Sequence, residues 1–206
     1  MKKIMFNERY GLQQAVLEGR KTMTRRVVKG YFEDVKAIHA NGEWHFIADT
    51  RDGDSVEIRP HYEEGETVAV GQRYGDIAWH TNQHAPADLR TEMERLQEEK
   101  GWVNKIYVRP ELMPHRIRIT SVRFERLQDI SDEDAMKEGV CENDELEIDK
   151  FTPWPLTLKP YKYNLDNEKA FCAPRYAFGH LIRKVCGSRT WNENPWVAVY
   201  EFKLVE

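Results

Sequence analysis

Apolar residues recur along this chain at several distinct periods, and each period predicts an element. Leu12, Ala15, Val16 and Gly19 fall at i, i+3, i+4 and i+7, the spacing of one helical face. Residues 8–18 are therefore expected to be helical, with Asn7 as N-cap and Gly19 as the stop. Residues 21–28 alternate and then turn apolar at Val27 and Val28, which favours an extended stretch. Short strands are expected at 35–39, 44–48 and 55–58, the last two flanking the turn signal Asp52-Gly53. Glu64-Gly65-Glu66 reads as another turn, leading into a strand over 67–70.

Further along, Pro86 opens and Gly101 closes a helical pattern over 86–100, with Leu89, Met93 and Leu96 on one face. Residues 116–124 alternate with period two. Ile117, Ile119 and Arg123 would share a side of a regular strand, so a change of register is expected near Ser121. Residues 131–138 form a short helix with the capping box Ser131-x-x-Asp134 and Gly139 as its stop. A helix over 174–186 starts at Pro174, buries Phe178, Leu181, Ile182 and Val185, and ends at Gly187. A last strand is expected at 196–205. Strands dominate without a regular strand–helix alternation, which predicts an α+β domain built on a small, mostly antiparallel barrel.

The 206 residues fit one domain with insertions. No segment approaches 18 consecutive apolar residues, so no membrane span is expected. The basic N-terminus lacks the apolar stretch of a signal peptide. Cys141, Cys172 and Cys186 are odd in number and widely spaced, which suits free thiols in a reducing cytoplasm. No metal-ligand spacing is found, and neither a metal nor a cofactor is expected.

The formal charge of −4 excludes a globally basic nucleic-acid binder but conceals segregation. Residues 19–29 carry five cations and no acid; residues 105–126 carry six cations against two acids. Residues 131–149 carry nine acids against Lys137. If the first two segments meet, they form a face suited to phosphates. If they meet the third, the charges pair with one another.

The densest chemistry lies in Gly19-Arg20-Lys21-Thr22-Met23-Thr24-Arg25-Arg26, directly after a helix stop. In a regular strand Lys21 and Thr24 would point to opposite faces, so a shared site requires a turn, which Gly19 permits. A lysine desolvated among other cations would lose proton affinity and could act as base toward a hydroxyl. Glu138 is the second unusual residue. A carboxylate in the last turn of a helix opposes the helix dipole, and a nearby Lys or Arg would compensate it and complete an acid–base pair.

These residues resemble the signature of the ASCH family of the PUA-like superfamily. The resemblance runs through Gly19-Arg20-Lys21-Thr22-x-Thr24-x-Arg26 and Gly65-Glu66-Thr67-Val68-Ala69-Val70. It continues in residues 117–122 and in Glu125-Arg126-Leu127-Gln128-Asp129-Ile130-Ser131-x-x-Asp134-Ala135-x-x-Glu138-Gly139. It closes with Trp191-x-x-Asn194-Pro195-Trp196-Val197. Met113-Pro114-x-Arg116-Ile117 looks like the longer ASCH proteins of phages and prophages. Where those carry Arg-Glu-x-Trp after the strand over 67–70, Val70-Gly71-Gln72-Arg73-Tyr74 stands here and the Glu is absent.

The resemblance implies a single PUA-like barrel domain over residues 1–206, with flanking helices and insertions at about 31–62, 74–108 and 142–170. It implies an RNA, nucleotide or modified-nucleoside ligand in a basic cleft. Arg20, Thr22, Arg25, Arg26, Arg116 and Arg118 would be the contacts, and Tyr74 or Trp79 would stack a base. Some small ASCH proteins are amidohydrolases that deacetylate N4-acetylcytidine. Their catalytic residues carry over to Lys21, Thr24 and Glu138, as base, nucleophile and proton donor. Metal-dependent ribonuclease chemistry on the acids of 131–149 is a third, weaker reading.

Overall fold

The computed structural model describes residues 1–40, 43–81, 91, 94–142, 161–163 and 171–205. Its centre is a five-stranded sheet built from β1 (Lys3–Ile4), β2 (Met23–Val27), β6 (Thr67–Val70), β7 (Arg116–Arg126) and β10 (Trp196–Leu204). The spatial order is β1-β6-β7-β10-β2, parallel only at the β1–β6 pair. Hydrogen bonding leaves β1 and β2 as the two edges, so the sheet is an open one. The coarse expectation of an α+β fold is met.

The longest ladder joins β7 to β10, from Trp196 opposite Arg126 to Leu204 opposite Ile117. Glu201 faces Ser121 and Phe202 faces Ile119, leaving Thr120 as the extra residue of a bulge. The register change foreseen near Ser121 is this bulge. Before it, Ile117 and Ile119 face the first core, with Ile4, Phe6, Leu12, Val16, Val68, Tyr200 and Phe202. After it, Val122 and Phe124 face that same core, and Arg123 turns to the other side. Ile117 and Ile119 are wholly buried, each contributing roughly 1.5–3 kcal/mol by the apolar surface removed from water.

The opposite face of the sheet holds a second core, where Met23, Val197 and Val199 meet two helices. These are α3 (Asp132–Lys137), which supplies Ala135, and α4 (Pro174–Val185), which supplies Ala177 and Phe178. A third core packs Ala69 against Tyr74 and Ile77 of α2 (Tyr74–Thr81), with Leu96, Val108 and Met113. Residues of the first expected insertion form a separate antiparallel sheet, β3 (Phe32–Ala40), β4 (Glu43–Thr50) and β5 (Ser55–Ile58). Phe46 anchors it, its ring 4.5 Å from that of Phe124. Glu142 in β8 (Cys141–Glu142) pairs with Tyr161 in β9 (Tyr161–Lys162).

Several expectations are corrected. Helix α1 spans only Leu12–Leu17 and starts after Gly11, whose φ is 66°. Asn7 caps an earlier turn, accepting from the Tyr10 N–H at 3.3 Å. Ser131 does cap α3, accepting from the Asp134 N–H at 3.1 Å, but Asp134 does not return the bond. Its carboxylate goes to two arginines instead. Val185 is 38% exposed, because α4 has passed the edge of the core by its last turn. Helices α2 and α5 (Ser188–Glu193) were not expected from the pattern. Of the helix expected at 86–100, Leu96 is buried, while Pro86, Leu89 and Met93 lie outside the described residues. Most of 142–170 also lies outside them. No helix among the described residues is long and apolar enough to cross a membrane.

Candidate active site

The turn after α1 brings the basic motif to the end of α3. Gly19 takes the left-handed φ of 73° and its N–H bonds back to Val16. The Lys21 N–H then donates to Ala15 and the Thr22 N–H to Lys137, at 2.8 and 2.9 Å. Lys21 is thereby held against Glu138, the C-cap of α3, where Gly139 turns the chain away with φ 103°.

The Lys21 ammonium donates to the Glu138 carboxylate at 2.5 Å and to the Glu138 main-chain carbonyl at 2.7 Å. The two side chains are 2% and 5% exposed. The cation thus satisfies an orphan carbonyl at the helix end and neutralises the acid that the dipole disfavours. Burial pushes the Lys21 ammonium below its ordinary range. Glu138 pulls it back up, and Arg26 and Arg25 push it further down.

The second oxygen of Glu138 accepts from Arg25 at 3.1 Å. Arg25 also reaches Glu125 at 2.6 Å and Asp134 at 2.9 Å. Arg123 closes the cage from β7, meeting Asp134 at 2.5 Å, Glu125 at 3.1 Å and Glu201 at 3.0 Å. The basic and acidic segments therefore do meet, and they pair with each other. This corrects Arg25 as a ligand contact: its side chain is 1% exposed and surrounded by carboxylates. Arg20 pairs with Glu18, the C-cap of α1, at 2.5 Å.

The remaining candidates separate by strand geometry. Thr24 is buried opposite Tyr200, on the face of β2 away from Met23 and Arg25. Among the described residues no hydrogen bond holds its hydroxyl, to Lys21 or to any other group. Arg26 shares that face and is exposed, its guanidinium 5.8 Å from the centre of the Phe6 ring. Lys21 approaches the same ring at 5.9 Å. Thr22 is half-buried, as is Arg116, and Arg118 is exposed. Tyr74 is corrected as a stacking residue: it is 1% exposed in the third core, and its hydroxyl accepts from the Arg109 N–H at 2.8 Å. Trp79 falls in α2, and its side chain lies outside the described residues.

Glu125, Asp134, Arg123 and Glu201 were missed by the sequence reading. In sequence Asp134 looks like half of a capping box, and alternation alone sets Arg25 apart from Thr24 and Arg26. Among the described residues no group of three or more His, Cys, Asp or Glu could hold a metal. Asp144, Glu145, Glu147 and Asp149 lie outside them.

Two open pockets lie elsewhere. One, of about 380 Å³, is flanked by α1 and α2; the other, of about 310 Å³, separates the small sheet from β7. Lys21, Thr24 and Glu138 line neither. Comparison with family models, with curated proteins and with solved structures finds no match to this chain.

Proposed function

We propose that this chain is an ASCH-type hydrolase that cleaves a linear amide on a nucleoside of the N4-acetylcytidine kind. The observation that carries the reading is the buried 2.5 Å contact between the Lys21 ammonium and the Glu138 carboxylate. It couples a lysine of lowered proton affinity to a carboxylate that can take up and return a proton. A proton moves from Lys21 to Glu138 within the pair, and the neutral amine takes the proton of the Thr24 hydroxyl as that oxygen adds to the acyl carbon. Glu138 gives its proton to the departing nitrogen as the C–N bond breaks, which restores the ammonium–carboxylate pair. Water then hydrolyses the Thr24 ester, releasing the acid and restoring the hydroxyl. A PUA-like barrel belongs to the same reading, with the five-stranded sheet as its wall.

A polynucleotide ligand has less support. Arg25 is taken up by buried carboxylates and Tyr74 by a core, so the expected basic cleft loses two of its contacts. The test is acetate release from N4-acetylcytidine. Lys21→Ala and Thr24→Ala should each lower the rate by about 100-fold or more, the usual contribution of a positioned base or nucleophile. Equal rates in the wild type and both variants would reject the assignment.

A further inference from the structure

The pocket between α1 and α2 has a polar floor that the hydrolase reading does not use. Gln13 and Gln72 line it, and each is more than nine-tenths buried. The Gln13 carbonyl oxygen accepts from the Lys105 ammonium at 3.2 Å. An ammonium only donates, so this contact fixes which end of the amide faces Lys105. Lys105 is itself held by the Phe6 carbonyl and by Glu8 at 2.9 Å. The Gln72 carbonyl oxygen lies 2.7 Å from Nδ1 of His115. Both amides are therefore anchored by their oxygens, and among the described residues neither NH2 group has a hydrogen-bond partner. Neither nitrogen is sealed from solvent, and the pocket is the opening that both residues line.

The charges around this floor cancel. Glu8 pairs with Lys105 and with Arg73 at 3.1 Å, and Arg73 pairs with Asp76 at 2.8 Å. Two acids and two bases leave no net charge to hold an ion. At the rim, Gln14 donates to Glu18 at 2.9 Å, which leaves its own carbonyl as an acceptor. The volume of about 380 Å³ lies within the range of small-molecule sites.

We infer that this pocket binds a small neutral molecule bearing carbonyl acceptors and N–H donors, of the carboxamide or cyclic ureide class. The NH2 groups of Gln13 and Gln72 donate to its carbonyl oxygens, and Gln14 accepts from its N–H. None of Lys21, Thr24 and Glu138 takes part, so this inference and the hydrolase reading fail separately.

Side-chain amide signals in a 1H–15N spectrum report directly on the two glutamines, assigned by their loss in Gln13→Glu and Gln72→Glu. Both variants keep the anchoring oxygen and remove the donor; their thermal melting checks the fold. Millimolar hydantoin should shift both signals saturably in the wild type. Each variant should bind it about tenfold more weakly, the effect of one lost hydrogen bond. Inorganic phosphate should move neither signal. The inference is overturned if hydantoin and acetamide leave both signals unmoved, if phosphate shifts them, or if both folded variants bind hydantoin as the wild type does.

Discussion

Lys21 and Glu138 are joined twice: one ammonium donates to both the carboxylate, at 2.5 Å, and the main-chain carbonyl, at 2.7 Å, of the same residue. The second bond ties the lysine to the end of α3, so the pair cannot separate without freeing the helix terminus. Glu138→Gln should therefore retain part of the contact, through the carbonyl. Lys21→Met removes both bonds and leaves Glu138 with Arg25 alone. Lys21→Met is expected to lower stability by about 3 kcal/mol and Glu138→Gln by less, measured by urea unfolding.

The lowered proton affinity of Lys21 has a consequence for pH dependence. Above its depressed native pKa and below the ordinary value of 10.5, the unfolded chain holds this proton more tightly than the native chain. Folding stability therefore rises with pH across that window. The stability difference between wild type and Lys21→Met should grow in favour of the wild type as pH climbs toward 10.5, in parallel urea titrations. A difference that stays flat with pH would show the ammonium to be unperturbed.

Arg25 lies among three carboxylates, with its side chain 1% exposed. Arg25→Leu should destabilise by about 3–5 kcal/mol, since it leaves buried acids short of a partner. If Arg25 were instead a phosphate contact, the same change would leave stability intact and flatten the salt dependence of RNA binding. Denaturation and a salt titration of the same variant separate the two.

Ser131 and Asp134 provide a contrast within one helix. Ser131→Ala removes only the N-cap and should lower stability by about 1 kcal/mol. Asp134→Ala removes bonds to Arg25 and Arg123 and should exceed it by at least twofold. Equal losses would restore a capping role for Asp134.

Gly101 lies flat against the Tyr74 ring, and a Cβ there would collide with it. Gly101→Ala should lower stability by about 1–3 kcal/mol through overpacking of the third core, read as a lower melting temperature.

The strands were the most legible part of the chain, because alternation survives wherever a sheet buries one face. Thr67–Val70 and Ser55–Ile58 appear where the pattern puts them, and the bulge near Ser121 is readable because Arg123 keeps the parity of Ile117 and Ile119 yet carries a charge. Helix α1 came out shorter because Asn7 organises a turn at the expense of the helix, a choice that local sequence leaves open. The nearness of Lys21 and Glu138 followed from a resemblance and a dipole argument. Their separation of 117 positions hides it from any local pattern. The role of Arg25 is hidden for a related reason: a run of cations looks like a surface until the acids that fold onto it are known, and Glu125 and Asp134 lie 100 and 109 residues away.

Thr120 adds a single residue to β7, and its effect reaches beyond the ladder. Ile119 and Arg123 are an even number of positions apart, so an unbroken strand would point both into the same apolar interior. The extra residue works as a parity switch. Upstream of it the strand is a wall of the first core, and downstream the same strand turns a guanidinium outward to close an ion cage on the far side. One count in the main chain lets a single strand serve two environments that could not share a face.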